Sequence, residues 1–550
     1  MEQGKDIKWR VYFVYLLLTV FGAAIIVKAI SIQFVEGDQW RLKSEQLTTA
    51  YINIEAARGN IYASDESLLA TSVPVYEVRM DMDADAMKEE IFRKNVGGLA
   101  AGLSGLLGDK SPIQYKKDLI GARQRGERYH LISRRVGYRE LKQMRTFPLF
   151  SLGRYKGGLI YVQRNKREHP FRILASRTIG YQREGIKPIG LEGAYNNYLK
   201  GVSGKRLMQK IAGGVWMPMN DENELDPEDG CDLYSTIDIN IQDVAENALM
   251  KQLIANDAHH GCVILMEVET GEIKAIANLS RDGAGDYFEY YNQAIGESTE
   301  PGSTFKLASL MAALEDGLVN LTDSVDTEDG EVKFFDKTMK DSHVGGFGKI
   351  SVKNAFECSS NVGISKIITA GYAKKPQAFI NRLRKMGVGE PLGLEILGEA
   401  LPSLKSPSDK SWSGTTLPWM SIGYEVTLTP LQILAFYNAV ANNGKMVKPM
   451  FVKEIRDKRK VIKKFKTEVV NEMICSRSTI EKAKKMLVGV VENGTAINLK
   501  NANFKIAGKT GTAQIGYADK SKKISYQASF VGYFPAENPK YSCIVVVNAP

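Results

Sequence analysis

The chain has 550 residues, of which 44% are hydrophobic and 25% charged, and it carries a net charge of +10. That length exceeds one ordinary domain and predicts two or three, each able to bury a proper core. Five scattered cysteines without a CxxC pair exclude a disulfide framework, and five histidines without an HExxH pattern speak against a zinc hydrolase.

The basic excess suits an anionic membrane surface or a cell-wall polymer as well as it suits nucleic acid. The first ten residues are polar, with Lys5, Lys8 and Arg10, and Val11 to Val27 is then uncharged and mostly apolar. With Lys28 snorkelling, residues 11–30 are just long enough to span a bilayer. The basic flank predicts that residues 1–10 lie in the cytoplasm. The run is longer than a signal-peptide core and lacks a small-x-small cleavage site, so an uncleaved single-pass anchor is expected. Everything after Ile30 then lies outside the cytoplasm, on the outer or periplasmic side, which counts against DNA or a cytosolic nucleotide as partner.

Residues 36–60 read as extended and polar, ending in Arg58-Gly59-Asn60-Ile61. Val75 to Arg79 reads as a strand. Residues 110–170 are rich in cations, among them Arg123, Arg125, Arg128, Arg134, Arg135 and Arg139, and are expected to form a solvated face rather than a docking surface. Gly190-Leu191-Glu192 opens another segment ahead of the acidic stretch 221–229. Residues 36–230 are expected to form one non-catalytic domain and residues 231–550 a second. In the second, Ile241–Leu253 reads as a helix with Val244, Ala245, Ala248, Leu249 and Leu253 on its buried stripe. Cys262–Met266 and Ile273–Ile276 read as a hairpin about Glu269-Thr270-Gly271-Glu272. Ser351 caps a short helix through Phe356, a second begins near Val362, and residues 426–443 are helical again. Phe504–Thr512, Ala528–Phe534 and Tyr541–Val547 read as strands. The sum is an α+β fold, helices around a mainly antiparallel sheet. Pro550 directly follows a strand whose sheet face calls for a covering helix, so the natural chain is expected to continue.

The chemistry gathers at Pro301-Gly302-Ser303-Thr304-Phe305-Lys306. Leu307, Leu310, Met311 and Leu314 follow at helical spacing, with Gly317 as the stop. Ser303 and Lys306 are three residues apart and so share one helix face. A serine becomes a nucleophile when a base lies within hydrogen-bond reach, and a lysine is a base when burial disfavours its ammonium form. Taken alone, Ser-x-x-Lys is more often a helix N-cap beside a snorkelling lysine. Two further elements follow in order, Ser359-Ser360-Asn361 in a loop between helices and Lys509-Thr510-Gly511-Thr512 on a strand. Together the three match the motif set of serine acyl-enzymes that react with penicillin. In that set Ser359 relays protons between Lys306 and the leaving amine, Asn361 holds the substrate backbone, and Lys509 meets a terminal carboxylate. Gly508 and Gly511 are expected to let a substrate strand approach closely. The N–H groups of Ser303 and Thr512 are the expected oxyanion hole. A phosphate loop fails because Asn503 stands where its first glycine is required, and no G-x-S-x-G is present.

The chain resembles a class B penicillin-binding protein, a monofunctional peptidoglycan D,D-transpeptidase. The resemblance extends beyond the three motifs to Arg58-Gly59-Asn60-Ile61, Gly190-Leu191-Glu192, Thr236-Ile237-Asp238, Thr429-Pro430-Leu431-Gln432 and Asn493-Gly494-Thr495-Ala496. It implies a membrane anchor, an elongated pedestal and a transpeptidase domain that acts on D-Ala-D-Ala ends of stem peptides. It implies Ser303 as the acylated nucleophile, Lys306 as its base, Ser359 and Asn361 as the second motif, and Lys509, Thr510, Gly511 and Thr512 as the carboxylate-binding strand. β-Lactams would acylate Ser303 as stalled substrate mimics, and neither a cofactor nor a metal is implied. The pedestal motifs are more similar to the division type, FtsI, than to the elongation type, and that likeness implies a SEDS glycan polymerase such as FtsW as partner. No glycosyltransferase segment and no E-x-x-L-N element is present, against a bifunctional relative and a class A β-lactamase respectively. A catalytically idle sensor or scaffold is the other reading, and a scaffold has no physical need of intact Ser303, Lys306, Ser359, Asn361 and Lys509.

Overall fold

The structure is a computed structural model that describes residues 3–182, 185–210, 216–218, 224–515 and 525–549. Helix α1 (Gln3–Ile30) opens the chain, and the apolar run Trp9–Val35 has 27 residues, none of them buried by protein. At ~1.5 Å per residue it is long enough to cross a ~30 Å hydrocarbon layer. Residues 36–60 are helical in their first half rather than extended throughout as expected. They hold helix α2 (Gly37–Thr48), with Asp38 in its positive first turn, and then strand β1 (Thr49–Ile54). The acidic stretch 221–229 lies partly outside the described residues.

The chain forms two compact units, each built from discontinuous segments. One comprises Met1–Ala57, Ser72–Lys166 and Gly201–Asp229, and the other Arg58–Thr71, Arg167–Lys200 and Gly230–Pro550. Strand β2 (Ile61–Tyr62) belongs to the second unit, and β3 (Leu68–Met80) begins in the second and ends in the first. The first unit adds α3 (Glu89–Leu107), α4 (Pro112–Gln124), β4 (His130–Val136) and all but the last two residues of β5 (Leu159–Glu168), with β4 and β5 both pairing with β3. Phe92, Val96, Leu99 and Leu103 form the buried stripe of α3. Several of the cations between 110 and 170 are structural: Arg123 donates to Glu89 and to two backbone carbonyls, and Arg128 pairs with Asp81. A separate small sheet joins β1 to β6 (Gly204–Lys210), which also pairs with β7 (Trp216–Pro218) and β8 (Glu224–Leu225).

In the second unit β9 (Asp232–Ser235) leads into α5 (Ile239–Ala255), capped by the Asp238 carboxylate. Its buried stripe is Ile239, Gln242, Glu246, Leu249 and Leu253, whereas Val244 and Ala248 are exposed. The predicted stripe was rotated because Gln242 and Glu246 are polar yet inside. Gln242 exchanges two hydrogen bonds with the backbone of Ile276, and Glu246 accepts from the Ala175 N–H. The main sheet is antiparallel. It runs β12 (Tyr287–Phe288), β11 (Ile273–Arg281), β10 (His260–Glu267), then β19 (Tyr541–Asn548), β18 (Ser525–Phe534) and β17 (Ala507–Ile515) at the edge.

Helix α6 (Lys306–Glu315) is buried on every side from Lys306 to Leu314 rather than on one stripe. It runs through the core against α8 (Asn361–Tyr372) and α10 (Arg477–Glu492), and from Leu307 to Leu314 its sequence is apolar apart from Ser309. Helix α9 (Pro430–Ala441) covers β18 and β19 and is buried along its whole length.

The motifs Arg58-Gly59-Asn60 and Gly190-Leu191-Glu192 meet in this unit. Fully buried Glu192 accepts from Nε of Arg58 and from Nε of Arg167 at 2.7 Å. Arg58 also donates to the Glu192 carbonyl at 2.8 Å and to Asn196 Oδ1 at 2.7 Å.

Candidate active site

Ser303 sits in a single 3-10 turn, Gly302–Phe305, that runs directly into α6. Two contacts fix the turn. Gly302 N–H donates to the Gly423 carbonyl at 3.1 Å, and the buried Tyr437 hydroxyl of α9 donates to the Thr304 carbonyl at 2.7 Å. Gly302 has φ +55°, and a Cβ there would fall 3.0 Å from the carbonyl oxygen of Thr512. The Ser303 turn therefore lies flush against β17, and only glycine permits it.

Lys306 is fully buried. Its Nζ lies 2.6 Å from the Ser359 carbonyl, 2.7 Å from Asn361 Oδ1 and 3.1 Å from Ser359 Oγ. No hydrogen bond joins it to the Ser303 hydroxyl among the described residues, although the two groups are one helical turn apart. Burial pulls the Lys306 ammonium down from an ordinary pKa of 10.5 to about 7, against the opposing charge of Asp341.

Ser359 links α7 (Val352–Glu357) to α8 and holds φ +60°, a left-handed conformation unusual for a serine. That kink turns its side chain and its carbonyl together toward Lys306. Ser360 is the N-cap of α8, accepting from the Gly363 N–H, and Asn361 is the helix's first residue. The expectation of a loop between two helices therefore shrinks to Ser359 between two cap residues, Cys358 and Ser360. Asn361 Nδ2 donates to the Lys340 carbonyl at 2.7 Å, at the end of the hairpin of β13 (Glu331–Phe334) and β14 (Lys337–Lys340).

Lys509 on β17 is also fully buried, and its Nζ donates to Ser359 Oγ at 2.9 Å and to the Thr510 carbonyl at 2.9 Å. Burial, and next the Lys306 charge, push its ammonium well below the usual lysine range. Thr510 Oγ1 bonds Thr495 Oγ1 at 2.6 Å, and Thr512 is exposed. Among the described residues β17 pairs only with β18, so its outer edge is open to another strand. Gly511 also serves internal packing. A Cβ there would meet Ser529 Oγ at 2.4 Å and the Thr304 methyl at 2.9 Å. Gly508 likewise makes room for the Phe530 ring.

One group in the site escaped the sequence reading. Asp341 accepts from Ser360 Oγ at 2.8 Å and from the Val362 N–H at 2.9 Å, pinning the start of α8. Its only sequence signal is a lone aspartate after a lysine-flanked hairpin, which any turn would supply. The three motifs thus meet at one hydroxyl: Ser359 Oγ lies between the amines of Lys306 and Lys509.

Residues 261–550 match the family model described as Penicillin binding protein transpeptidase domain, and residues 53–235 match Penicillin-binding Protein dimerisation domain. The first match alone spans more than half of the chain. The chain belongs to the penicillin-binding protein transpeptidase family. The dimerisation-domain match ahead of the transpeptidase match makes it a class B member. Among its relatives, the peptidoglycan D,D-transpeptidase FtsI of Buchnera aphidicola is 27% identical, covering 99% of this chain and 91% of that one. FtsI of Escherichia coli is 25% identical over 94% of this chain and 82% of its own. Stage V sporulation protein D of Bacillus subtilis is also 25% identical, with 99% and 82% covered. The fold is that of Penicillin Binding Protein 2X from Streptococcus thermophilus, with a TM-score of 0.77 and 21% identity over 91% of this chain and 77% of that one.

Proposed function

We propose that this penicillin-binding protein is a peptidoglycan D,D-transpeptidase that crosslinks stem peptides through an acyl-enzyme on Ser303. The observation that carries this reading is the convergence of Lys306 and Lys509 on the Ser359 hydroxyl, with Asn361 Oδ1 on the same Lys306 amine, beside the Ser303 turn. Neutral Lys306 accepts the Ser303 proton as the hydroxyl attacks the penultimate D-Ala carbonyl. The oxyanion of the tetrahedral intermediate is held by the N–H groups of Ser303 and Thr512, a reading supported by the close approach of the Gly302 turn to the Thr512 backbone. Lys509 donates to Ser359 Oγ, so the Ser359 proton is free to point at the Lys306 lone pair. That orientation makes Ser359 the relay: it protonates the leaving D-Ala amine and is reprotonated by Lys306. The acceptor amine of a second stem peptide then attacks the ester, gives its proton back along the same path and regenerates Ser303. Asn361 holds the donor peptide's backbone, and the Lys509 and Thr510 end of β17 binds its terminal carboxylate while the peptide lies along the open strand edge. β-Lactams enter as mimics of the same donor.

The division role is the finer part of the reading, supported by relatives named FtsI. In that role α1 anchors the chain in the cytoplasmic membrane with its N-terminus inside and its catalytic domain outside, beside a SEDS polymerase of the FtsW type. Crosslinking of lipid-linked peptidoglycan by the full chain in detergent, with Ser303→Ala alongside, tests the chemistry. Crosslinking by wild type and none by the variant is expected, and product from the variant rules out Ser303 as nucleophile. Depletion in cells tests the role: filaments are expected, whereas rounded cells would make the protein an elongation enzyme.

A further inference from the structure

The second compact unit has a basic hairpin that the transpeptidase reading leaves unused. Its strands are β15 (Val452–Asp457) and β16 (Lys460–Lys464). β15 pairs with β9, and β16, among the described residues, pairs only with β15. From Lys453 to Lys466 the chain carries eight lysines and arginines against two carboxylates. Three of the eight are occupied. Lys453 pairs with Glu272 at 3.4 Å, Arg456 pairs with Glu454 and stacks on Tyr234, and Lys463 lies over the Phe465 ring at 4.7 Å. Lys458, Arg459, Lys460, Lys464 and Lys466 are exposed and have no ion pair among the described residues.

Two ordinary explanations cover part of this. Lysines on an edge strand keep other strands away, which accounts for Lys460 and Lys464. A run of charge on a surface is commonly just solvated. Neither accounts for the turn. Lys458 has φ +53° and Arg459 φ +133°, and a two-residue hairpin turn with both φ positive ordinarily takes Asn-Gly. Cations stand there against the preference of the backbone. Neither accounts for the cleft beside the hairpin, of about 560 Å³, which Lys464 and Lys466 line together with the apolar groups of Ala63, Met450 and Phe465. The carboxylates that line it are already held: Glu66 by Arg456 at 3.5 Å, Glu454 by the same guanidinium, and Glu272 by Lys453 and Lys274. The charge left for a guest is that of Lys464 and Lys466.

We propose that the cleft and the turn together dock an acidic segment of a partner protein. An apolar side chain of the segment enters the cleft beside Met450 and Phe465. Carboxylates on either side of it meet Lys464 and Lys466 and, ~13 Å along β16, the cations of the turn. A phosphodiester polymer has no apolar group to place in the cleft, and a bilayer surface is too flat to enter it, so the mixed lining favours a peptide. The apolar anchor supplies affinity, and the opposite charges supply the encounter rate and the choice of partner.

The test uses the full chain in neutral detergent micelles and a fluorescein-labelled peptide of about eight residues, glutamates with one central leucine, long enough to run from the cleft to the turn. Saturable binding by anisotropy is expected. It weakens about tenfold when the leucine becomes serine, and about tenfold when salt rises from about 0.05 to about 0.5 M. Lys464→Glu together with Lys466→Glu costs about tenfold or more, whereas Lys94→Glu together with Lys142→Glu, the same change of charge in the first unit, leaves binding as it was. All four positions are exposed, and a thermal melt checks that each variant folds. Lys458→Asn together with Arg459→Gly gives the turn its preferred sequence, so binding falls about threefold while the melting temperature holds or rises. Absence of saturable binding overturns the proposal, as does equal loss in the two charge-reversed pairs or indifference to the leucine. Unchanged binding by the Asn-Gly variant overturns the part assigned to the turn. Inorganic polyphosphate that binds more tightly than the peptide, and is lost with Lys464 and Lys466, makes the surface one for an anionic polymer instead. Displacement of the peptide when phosphatidylglycerol is added to the micelles makes it a contact with lipid headgroups.

Discussion

The titration of Lys306 sets how acylation depends on pH. Burial lowers its pKa from 10.5 to about 7. At ~1.4 kcal/mol per unit, that shift amounts to about 5 kcal/mol against the ammonium form. With a pKa of about 7 the neutral amine is roughly a tenth of the population at pH 6 and nine-tenths at pH 8. An unshifted lysine would be neutral in only about one molecule in a thousand at pH 7.5. The second-order rate constant for acylation by a penicillin should therefore rise about tenfold per pH unit below neutrality and level off near pH 8. The measurement is that rate constant from pH 5 to 10 by stopped-flow or quenched mass spectrometry. A rate still climbing at pH 10 would mean an ordinary lysine, and a flat profile would remove Lys306 from the base role. Stability carries the same titration with a definite sign. The folded pKa lies below the unfolded one, so between about pH 7 and 10.5 the unfolded chain binds more protons and stability rises with pH. Below pH 7 both states are protonated and the full cost of burying the charge is present.

Asp341→Asn removes the charge that opposes the Lys306 shift and weakens the anchor at Ser360 and Val362. Acylation should slow by about tenfold or more while the rising limb of the pH profile moves to lower pH, and a limb that stays in place would separate Asp341 from Lys306. Glu192→Gln strips the charge from a fully buried carboxylate that two guanidinium groups share. A loss of about 3–5 kcal/mol is expected in thermal or denaturant unfolding, and an unchanged midpoint would show that the ion pairs contribute nothing net. Gly511→Ala forces a methyl to within 2.4 Å of Ser529 Oγ and 2.9 Å of Thr304, parting β17 from the Ser303 turn. Acylation about tenfold slower, with a melting temperature that falls little, is the expected result, and wild-type kinetics would mean that the strand tolerates the shift.

Much of the site was readable because its residues lie in short, ordered strings. Ser303 and Lys306 needed only helical spacing, and Lys509 only a strand that carries it to an edge. The sequence could not show that Ser359 takes a left-handed backbone, because nothing distinguishes that serine from its neighbour until α7 and α8 are in place. Asp341 was hidden for a similar reason: its role depends on a hairpin delivering it to the start of a later helix. The α5 stripe went wrong where hydropathy alone decides, since Gln242 and Glu246 are inside on account of backbone groups they satisfy across the chain. Arg58 and Glu192 were each noticed as members of motifs, but their ion pair spans 134 residues of sequence and only the fold shows it. The packing demand on Gly511 was hidden too, because the Ser529 hydroxyl and the Thr304 methyl that claim its space come from other elements.

The acyl-enzyme itself is the point on which the rest turns. The soluble part, residues 36 onward, is incubated with a penicillin and weighed intact, and its peptides are mapped, with Ser303→Ala run alongside. One penicillin per chain on the peptide that holds Ser303, slow to leave and absent from the variant, is the predicted result. An adduct on the Ser303→Ala protein, or a wild-type chain that melts as a folded protein yet never takes up penicillin, would contradict it.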